Sequence, residues 1–451
     1  MPGTTQSLRP EQAGDGGVHA AATPPSHAAV PQQLISPKLA MAIIGAMFFV
    51  FGFVTWLNGP LITFVKFAFT LTDFEAFLVP SVFYMSYFLL ALPAAALLRR
   101  SGMKNGMVIG LLTISVGALL FGQFATHRWF AGALAGLFVI GGGLALLQTA
   151  ANPYIAILGP IESGAKRIAI MGICNKAAGM LAPIVFGLLV MRGIGSLQAR
   201  IDAAAPASRT VLLDDFAQKI YWPYLVMAVA LALLALLVRR SPLPSLESTG
   251  AASPAHATGS IFRHRHLVLG VVALFMAMGA EVMAGDAIGT YGAAFGLPIE
   301  RTAYFTSFTL AAMLIGYVVG LIAIPRFVSQ ERYLALSSMI GILAVGGAYV
   351  TTDYVSVGFV AALGFANAMM WPAIFPLAVR GLGHQTETGS AMLIMAISGG
   401  AVMPQLFAAL KAHVDFQLAF SAVMALLYIY IFYYARRGCR IDDHGTAAGH
   451  H

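Results

Sequence analysis

The chain has 451 residues, of which 59% are hydrophobic and only 10% charged, against about 25% charged in a soluble domain. So few charges cannot clothe a water-facing surface of this size, which excludes an ordinary soluble enzyme and leaves lipid to cover much of the chain. Two cysteines, Cys174 and Cys439, exclude a disulfide framework and a cysteine-ligated metal cluster. The net charge of +8 traces to basic loops rather than to a nucleic-acid surface.

Residues 1–37 are rich in Ala, Pro, Gly, Gln and Ser without an apolar period, and read as a disordered tail. They have no short apolar core with a cleavage site, so no signal peptide is expected there. Apolar stretches, each able to cross a hydrocarbon core of ~30 Å, then follow in series. They fall at 39–65, 76–98, 106–124, 130–157, 168–190, 222–238, 267–293, 302–324, 334–350, 355–379, 388–410 and 417–435. These twelve spans predict an all-α integral membrane protein. A polar stretch at 240–265 divides it into an N-terminal six-helix bundle over 38–239 and a C-terminal one over 266–437, with a short tail at 438–451.

Lys and Arg set the orientation. Seventeen of the 26 lie on the side of the N-terminus, eight on the other, and Lys176 alone falls within a span. Both termini and the 240–265 linker are therefore expected on the cytoplasmic side.

The halves resemble each other. Span 4 carries Gln148 five residues before Pro153, and span 10 carries Asn367 five residues before Pro372. Each motif is followed by a short polar loop with Gly164 or Gly389, and then by a span reaching Pro183 or Pro404. Two six-helix halves related by an axis along the membrane normal are the mark of the major facilitator fold.

Polar groups are costly in hydrocarbon and mark the bundle interior or a water-filled path. Of 18 acids, only Glu281 and Asp286 lie well inside a span, both on span 7, and Lys176 on span 5 is the one deep base. The buried amides are Asn58, Gln148, Asn152, Asn175 and Asn367. Asn58-Gly59-Pro60 predicts a break in span 1, and Gln148 and Asn152, four apart, share a helix face. Amides offer both donors and acceptors, which suits a polyhydroxylated ligand. Trp371, with Trp56 beside it as a candidate, offers a flat face for a sugar ring. The plainer reading of each single amide is an interhelical hydrogen bond.

Glu281 and Asp286 are about 140° apart on a regular helix and share a face only if span 7 unwinds, for which Gly279, Gly285 and Gly289 provide. A carboxyl that changes protonation as a cavity changes sides is the physics of a proton-coupled carrier, with Glu281 favoured over Asp286. The rival is a structural ion pair of Lys176 with one of them. Other chemistry finds little support. The histidines lie in tails, loops or at helix ends, which leaves no metal or haem pair. Gly159 to Lys166 lacks the Gly-Lys-Ser/Thr ending of a phosphate loop, and no nucleophile elbow appears. No cofactor and no enzymatic activity are expected.

The strings Phe51 to Pro60, Leu147 to Tyr154, Ile170 to Lys176, Gly279-Ala280-Glu281 and Asn367 to Phe375 together resemble the fucose–galactose–glucose:proton symporters of the major facilitator superfamily. The resemblance runs from about 40 to 435 and omits only the tails and the linker. It implies uptake of a hexose across a bacterial inner membrane, coupled to H⁺ or Na⁺, by alternating access; a monomer is expected. The fucose branch has acids where this chain has Gly59 and Gln148, which moves the expected coupling to Glu281. Gln148 and the Asn175-Lys176 pair look like the glucose/galactose branch, some of whose relatives carry N-acetylglucosamine. Fucose symport, or an uncoupled facilitator or exporter on the same fold, is the remaining alternative.

Overall fold

A computed structural model describes residues 37–157, 164–243, 260–324, 326–382 and 385–440. The N-terminal tail, the loop after span 4, residues 244–259 of the 240–265 linker and the final tail lie outside the described residues.

Helices follow one another without a strand among the described residues. The first half comprises α1 (Pro37–Trp56), α2 (Asn58–Ala68), α3 (Asp73–Ala76), α4 (Leu78–Thr126), α5 (Phe130–Ile157), α6 (Gly164–Phe186), α7 (Ile194–Ala203), α8 (Pro206–Gln218) and α9 (Tyr221–Arg240). The second half comprises α10 (Arg265–Gly285), α11 (Ile288–Ala294), α12 (Ile299–Thr302), α13 (Phe305–Ala323), α14 (Gln330–Val350), α15 (Asp353–Asn367), α16 (Met370–Val379), α17 (Thr386–Met395), α18 (Gly399–Lys411) and α19 (Phe416–Tyr433).

Among the described residues, eleven helical stretches are long and apolar enough to cross a membrane. One of them, Asp73–Thr126, has 54 residues and would be about 80 Å long if straight, far more than a bilayer needs. It is not straight. Gly102 stands at φ 75°, ψ 165°, a left-handed-side conformation open to glycine, and the chain folds back there. α5 shows the result, because its middle meets both arms at one level. A Cβ on Gly141 would touch Ser86 and Phe83 of the first arm, and one on Gly143 would touch Ile114 and Gly110 of the second. The twelve crossings read from hydropathy are thus present, two of them in α4. Large apolar side chains such as Leu92 and Leu343 stand outward, 59% and 72% exposed, as a lipid-facing surface requires.

Close helix contacts depend on missing side chains. A Cβ on Gly52 of α1 would run into the Asn175 carbonyl oxygen of α6, and one on Gly399 would run into the Phe275 carbonyl oxygen of α10. Both contacts are inside one half. The stretch between spans 5 and 6, which holds no apolar span, is helical as α7 and α8. α8 packs Phe216 against Phe64 and Phe67 of α2, ring centroids 5.2 and 5.1 Å apart, and Arg128 ties it to α4 through Asp214 at 3.1 Å.

Candidate functional site

Three spans break where polar residues cluster. α1 ends at Trp56 and α2 begins at Asn58, because Pro60 has no N–H to give to the turn before it. In span 7, α10 ends at Gly285, α11 begins at Ile288, and Asp286 stands in the gap. The break frees carbonyls inside the membrane, and α13 satisfies them. Thr306 Oγ1 donates to Gly285 O at 2.7 Å and Thr309 Oγ1 to Ala284 O at 2.8 Å. In span 10, α15 stops at Asn367 and α16 begins at Met370.

The charged residues sort themselves between these breaks. Lys176 Nζ donates to Glu281 Oε1 at 2.5 Å, with both side chains largely buried. The pair joins α6 of the first half to α10 of the second. Trp56 lies beneath it, its ring 4.5 Å from Lys176 Nζ. The indole is wedged between the halves, since a Cβ on Gly179 or on Gly285 would run into it. Asp286 takes a different place. It is 1% exposed and faces Tyr84, whose hydroxyl donates to Oδ2 at 3.5 Å, while Oδ1 has no partner. The Gly59 backbone N–H approaches the same carboxyl, and a Cβ on Gly59 would sit 3.4 Å from Asp286 Cα. The two acids therefore diverge, one toward α6 and the other toward α2 and α4.

Around them, buried polar atoms stand without partners: Thr55 Oγ1, Asn58 Nδ2, Asn175 Nδ2 and Asp286 Oδ1. Each such group costs free energy on the order of 1–3 kcal/mol, and all four lie near the middle of spans 1, 5 and 7. Gln148 is half-buried and donates through Nε2 to Tyr87 OH at 2.8 Å. Asn367 is committed on both faces. Its Nδ2 donates to Ala280 O at 3.2 Å, and its Oδ1 accepts from Tyr428 OH at 2.8 Å. This holds the backbone just before Glu281. Trp371 is half-buried and stacks on Phe375 at 5.8 Å and 29°. Asn152 lies in α5, but its side chain is outside the described residues.

Sequence reasoning singled out the amides and acids, but not the tyrosines that meet them. Tyr84 and Tyr87 are three apart on one face of α4, and their hydroxyls are a polar signal easily read as aromatic core. No group of His, Cys, Asp and Glu able to hold a metal occurs among the described residues.

An all-helical, multi-pass chain with its polar groups gathered at mid-depth where two halves meet has the build of a membrane carrier. The family profile described as Major Facilitator Superfamily matches residues 44–404. The chain is 32% identical over 404 residues to the glucose/galactose transporter of Brucella abortus, covering 89% of this chain and 94% of that protein. It is 28% identical over 410 residues to the L-fucose-proton symporter of Escherichia coli, covering 88% and 92%. A crystal structure of the E. coli fucose:proton symporter superposes with a TM-score of 0.69 at 26% identity, covering 89% of this chain and 99% of that one. The chain belongs to the Major Facilitator Superfamily and, within it, to the fucose–galactose–glucose:proton symporter family.

Proposed function

We propose that the protein imports a hexose, glucose or galactose, together with a proton, by alternating access across a bacterial inner membrane, with both termini cytoplasmic. The observation that carries this reading is the mid-depth cluster. Four buried polar atoms without partners lie on spans 1, 5 and 7, and spans 5 and 7 carry an ion pair that crosses between the halves. A ligand rich in hydroxyls supplies the missing donors and acceptors, and the glucose/galactose transporter relative agrees with a hexose.

In this reading Asn58, Asn175 and Gln148 bind the sugar, together with Asn152 on the face it shares with Gln148. Trp371 offers the stacking face. Asn367 acts as a positioning residue, because its amide is spent on Ala280 and Tyr428. Glu281 takes the coupling role. Protonating it cancels the charge that holds Lys176, so one proton decides whether the halves are tied at mid-depth. Asp286, with no cation in ion-pair reach among the described residues, is the second acid of the path. The membrane location follows from the family and the apolar spans. The Lys and Arg distribution supports cytoplasmic termini.

The test is uptake of labelled glucose, galactose, fucose and N-acetylglucosamine in cells lacking their own carriers, with and without a proton ionophore. Accumulation of glucose or galactose that collapses with the ionophore is expected. Accumulation of fucose or N-acetylglucosamine alone would move the substrate to another branch. Equilibration without accumulation would make the protein a facilitator, with Lys176–Glu281 a static strut.

A further inference from the structure

One feature outside the transport path has the make-up of a binding site. At the end of the molecule where the chain leaves its last span lies a cavity of about 930 Å³, lined by Arg332, Arg380, Arg436, Arg437 and Arg440, with Glu331 the single acid. Arg380 is matched, its Nη2 3.0 Å from Glu331 Oε1. The other four arginines have no ion-pair partner among the described residues. A concentration of like charge is unfavourable unless an anion answers it.

The backbone contributes to the layout. Beyond α19 the last turn is π-helical over Tyr434–Gly438, with Cys439 N–H donating to Tyr434 O at 2.9 Å. Two of the cavity's arginines, Arg436 and Arg437, sit on this wider turn, and Arg440 follows just beyond it. Its floor is apolar, formed by Ala435 and Cys439.

Above the cavity, two bare apolar stripes run into the same arginines. On α19, Leu426, Ile429 and Tyr433 are exposed and continue at helical spacing to Arg436, Arg437 and Arg440. On α14, Leu343, Met339 and Leu336 are exposed and continue to Arg332. A charged cavity at the end of lipid-facing stripes fits an amphiphile better than a free ion, because the tails of the ligand already have a surface to lie on.

We propose that this cavity is a binding site for the phosphate headgroup of an anionic phospholipid of the phosphatidylglycerol or cardiolipin type. Guanidinium groups bind phosphate oxygens by paired hydrogen bonds, and basic pockets at the cytoplasmic ends of spans favour such headgroups. The acyl chains lie along the α14 and α19 stripes. This site is independent of the sugar reading.

The experiment is native mass spectrometry of the purified full chain, titrated with phosphatidylglycerol or with phosphatidylcholine. The wild type is expected to retain phosphatidylglycerol in preference to phosphatidylcholine. The triple variant R332Q/R436Q/R440Q is expected to lose affinity for it by about fivefold per arginine, on the order of a hundredfold in all. R263Q/R265Q, at the same end but outside the cavity, is expected to stay within about twofold of wild type, well under one arginine's share of the effect.

Equal loss in both variants, or no preference for phosphatidylglycerol in the wild type, would overturn the proposal. So would displacement of the lipid by inorganic phosphate at equal concentration, which would make the site one for a free anion. A chain ending at Arg440 that binds lipid only where the full chain does not would assign the cavity to the acidic tail, also against the proposal. If the triple variant does not fold, the wild-type lipid preference and the phosphate competition still decide.

Discussion

The two ends of the molecule are held in different ways. At the end away from the termini, contacts cross between the halves. Asp73 of the first half is gripped by Lys66 and by Lys411 Nζ of the second half, the latter at 2.6 Å. Gln405 Nε2 donates to Phe74 O at 3.3 Å, and the Gly195 backbone N–H donates to Glu300 Oε1 at 3.1 Å. At the terminal end, polar contacts are found within each half. Lys104 Nζ donates to Ser241 O at 2.7 Å in the first half, while Glu331 and His266 both engage Arg380 in the second. Among the described residues, the halves are latched to each other at one end and each is tied to itself at the other. The mid-depth pair of Lys176 and Glu281 lies between these regimes. Opening the latched end then means breaking a few polar contacts, while each half keeps its own shape.

That comparison can be broken most severely at the middle. Lys176→Met leaves Glu281 buried without its cation, a change worth about 3–5 kcal/mol, and a large fall in melting temperature of the purified protein is expected. K176M/E281Q should recover much of that stability without recovering accumulation of sugar, because no titratable link remains. E281Q alone is expected to lose accumulation while exchanging sugar across a membrane without a gradient. If it still concentrates sugar, the coupling role of Glu281 is wrong.

Gln148→Ala probes the cluster without touching either end. It is expected to weaken sugar binding about tenfold, or ~1.4 kcal/mol, read by calorimetric titration. Unchanged affinity would remove Gln148 from the site.

Asp73→Asn attacks the latch itself. Its partners are partly exposed, so each pair is worth about 0–1 kcal/mol and the expected shift toward opening at that end is about fivefold. Spin-label distances across the latched end would show it, and an unchanged distribution would mean that the two lysines do not set the equilibrium. Glu300→Gln removes only the charge from one exposed hydrogen bond. It should shift the same distances by no more than a few tenths of a kcal/mol, within the range of ordinary surface changes.

Much of this was legible beforehand because the bilayer imposes strong rules. Span length, the cost of Lys176, Glu281 and Asp286 in hydrocarbon, and the breaks at Asn58 and Gly285 are local properties of the string. The divergence of the two acids followed from helix geometry. What could not be read was pairing at a distance. Lys176 meets Glu281 across 105 positions, and nothing local chooses it over Asp286. Asp73 and Lys411 lie 338 positions apart, and nothing local marks them as partners. The hairpin at Gly102 was covered by two apolar runs, but the packing of both its arms on α5 is a tertiary fact. The α7–α8 pair was missed because its helices bury one narrow face, with Phe216 turned onto α2.

The glycine contacts carry a mechanical consequence. Within a half, some missing Cβ atoms bring backbone against backbone, as at Gly52 on Asn175 and Gly399 on Phe275, while others admit a side chain, as Gly341 admits Tyr428. Between halves the missing Cβ admits a side chain instead, as Gly285 admits Trp56 and Gly400 admits Tyr84. The first kind of joint behaves as a weld, since a peptide unit has no rotamer to yield. The second behaves as a bearing, since a ring can turn about χ1 and χ2 while the surfaces slide past it. The backbone-on-backbone joints at Gly52 and Gly399 thus stiffen each half, while at Gly285 and Gly400 the seam between the halves, along which a carrier must move, is of the compliant kind.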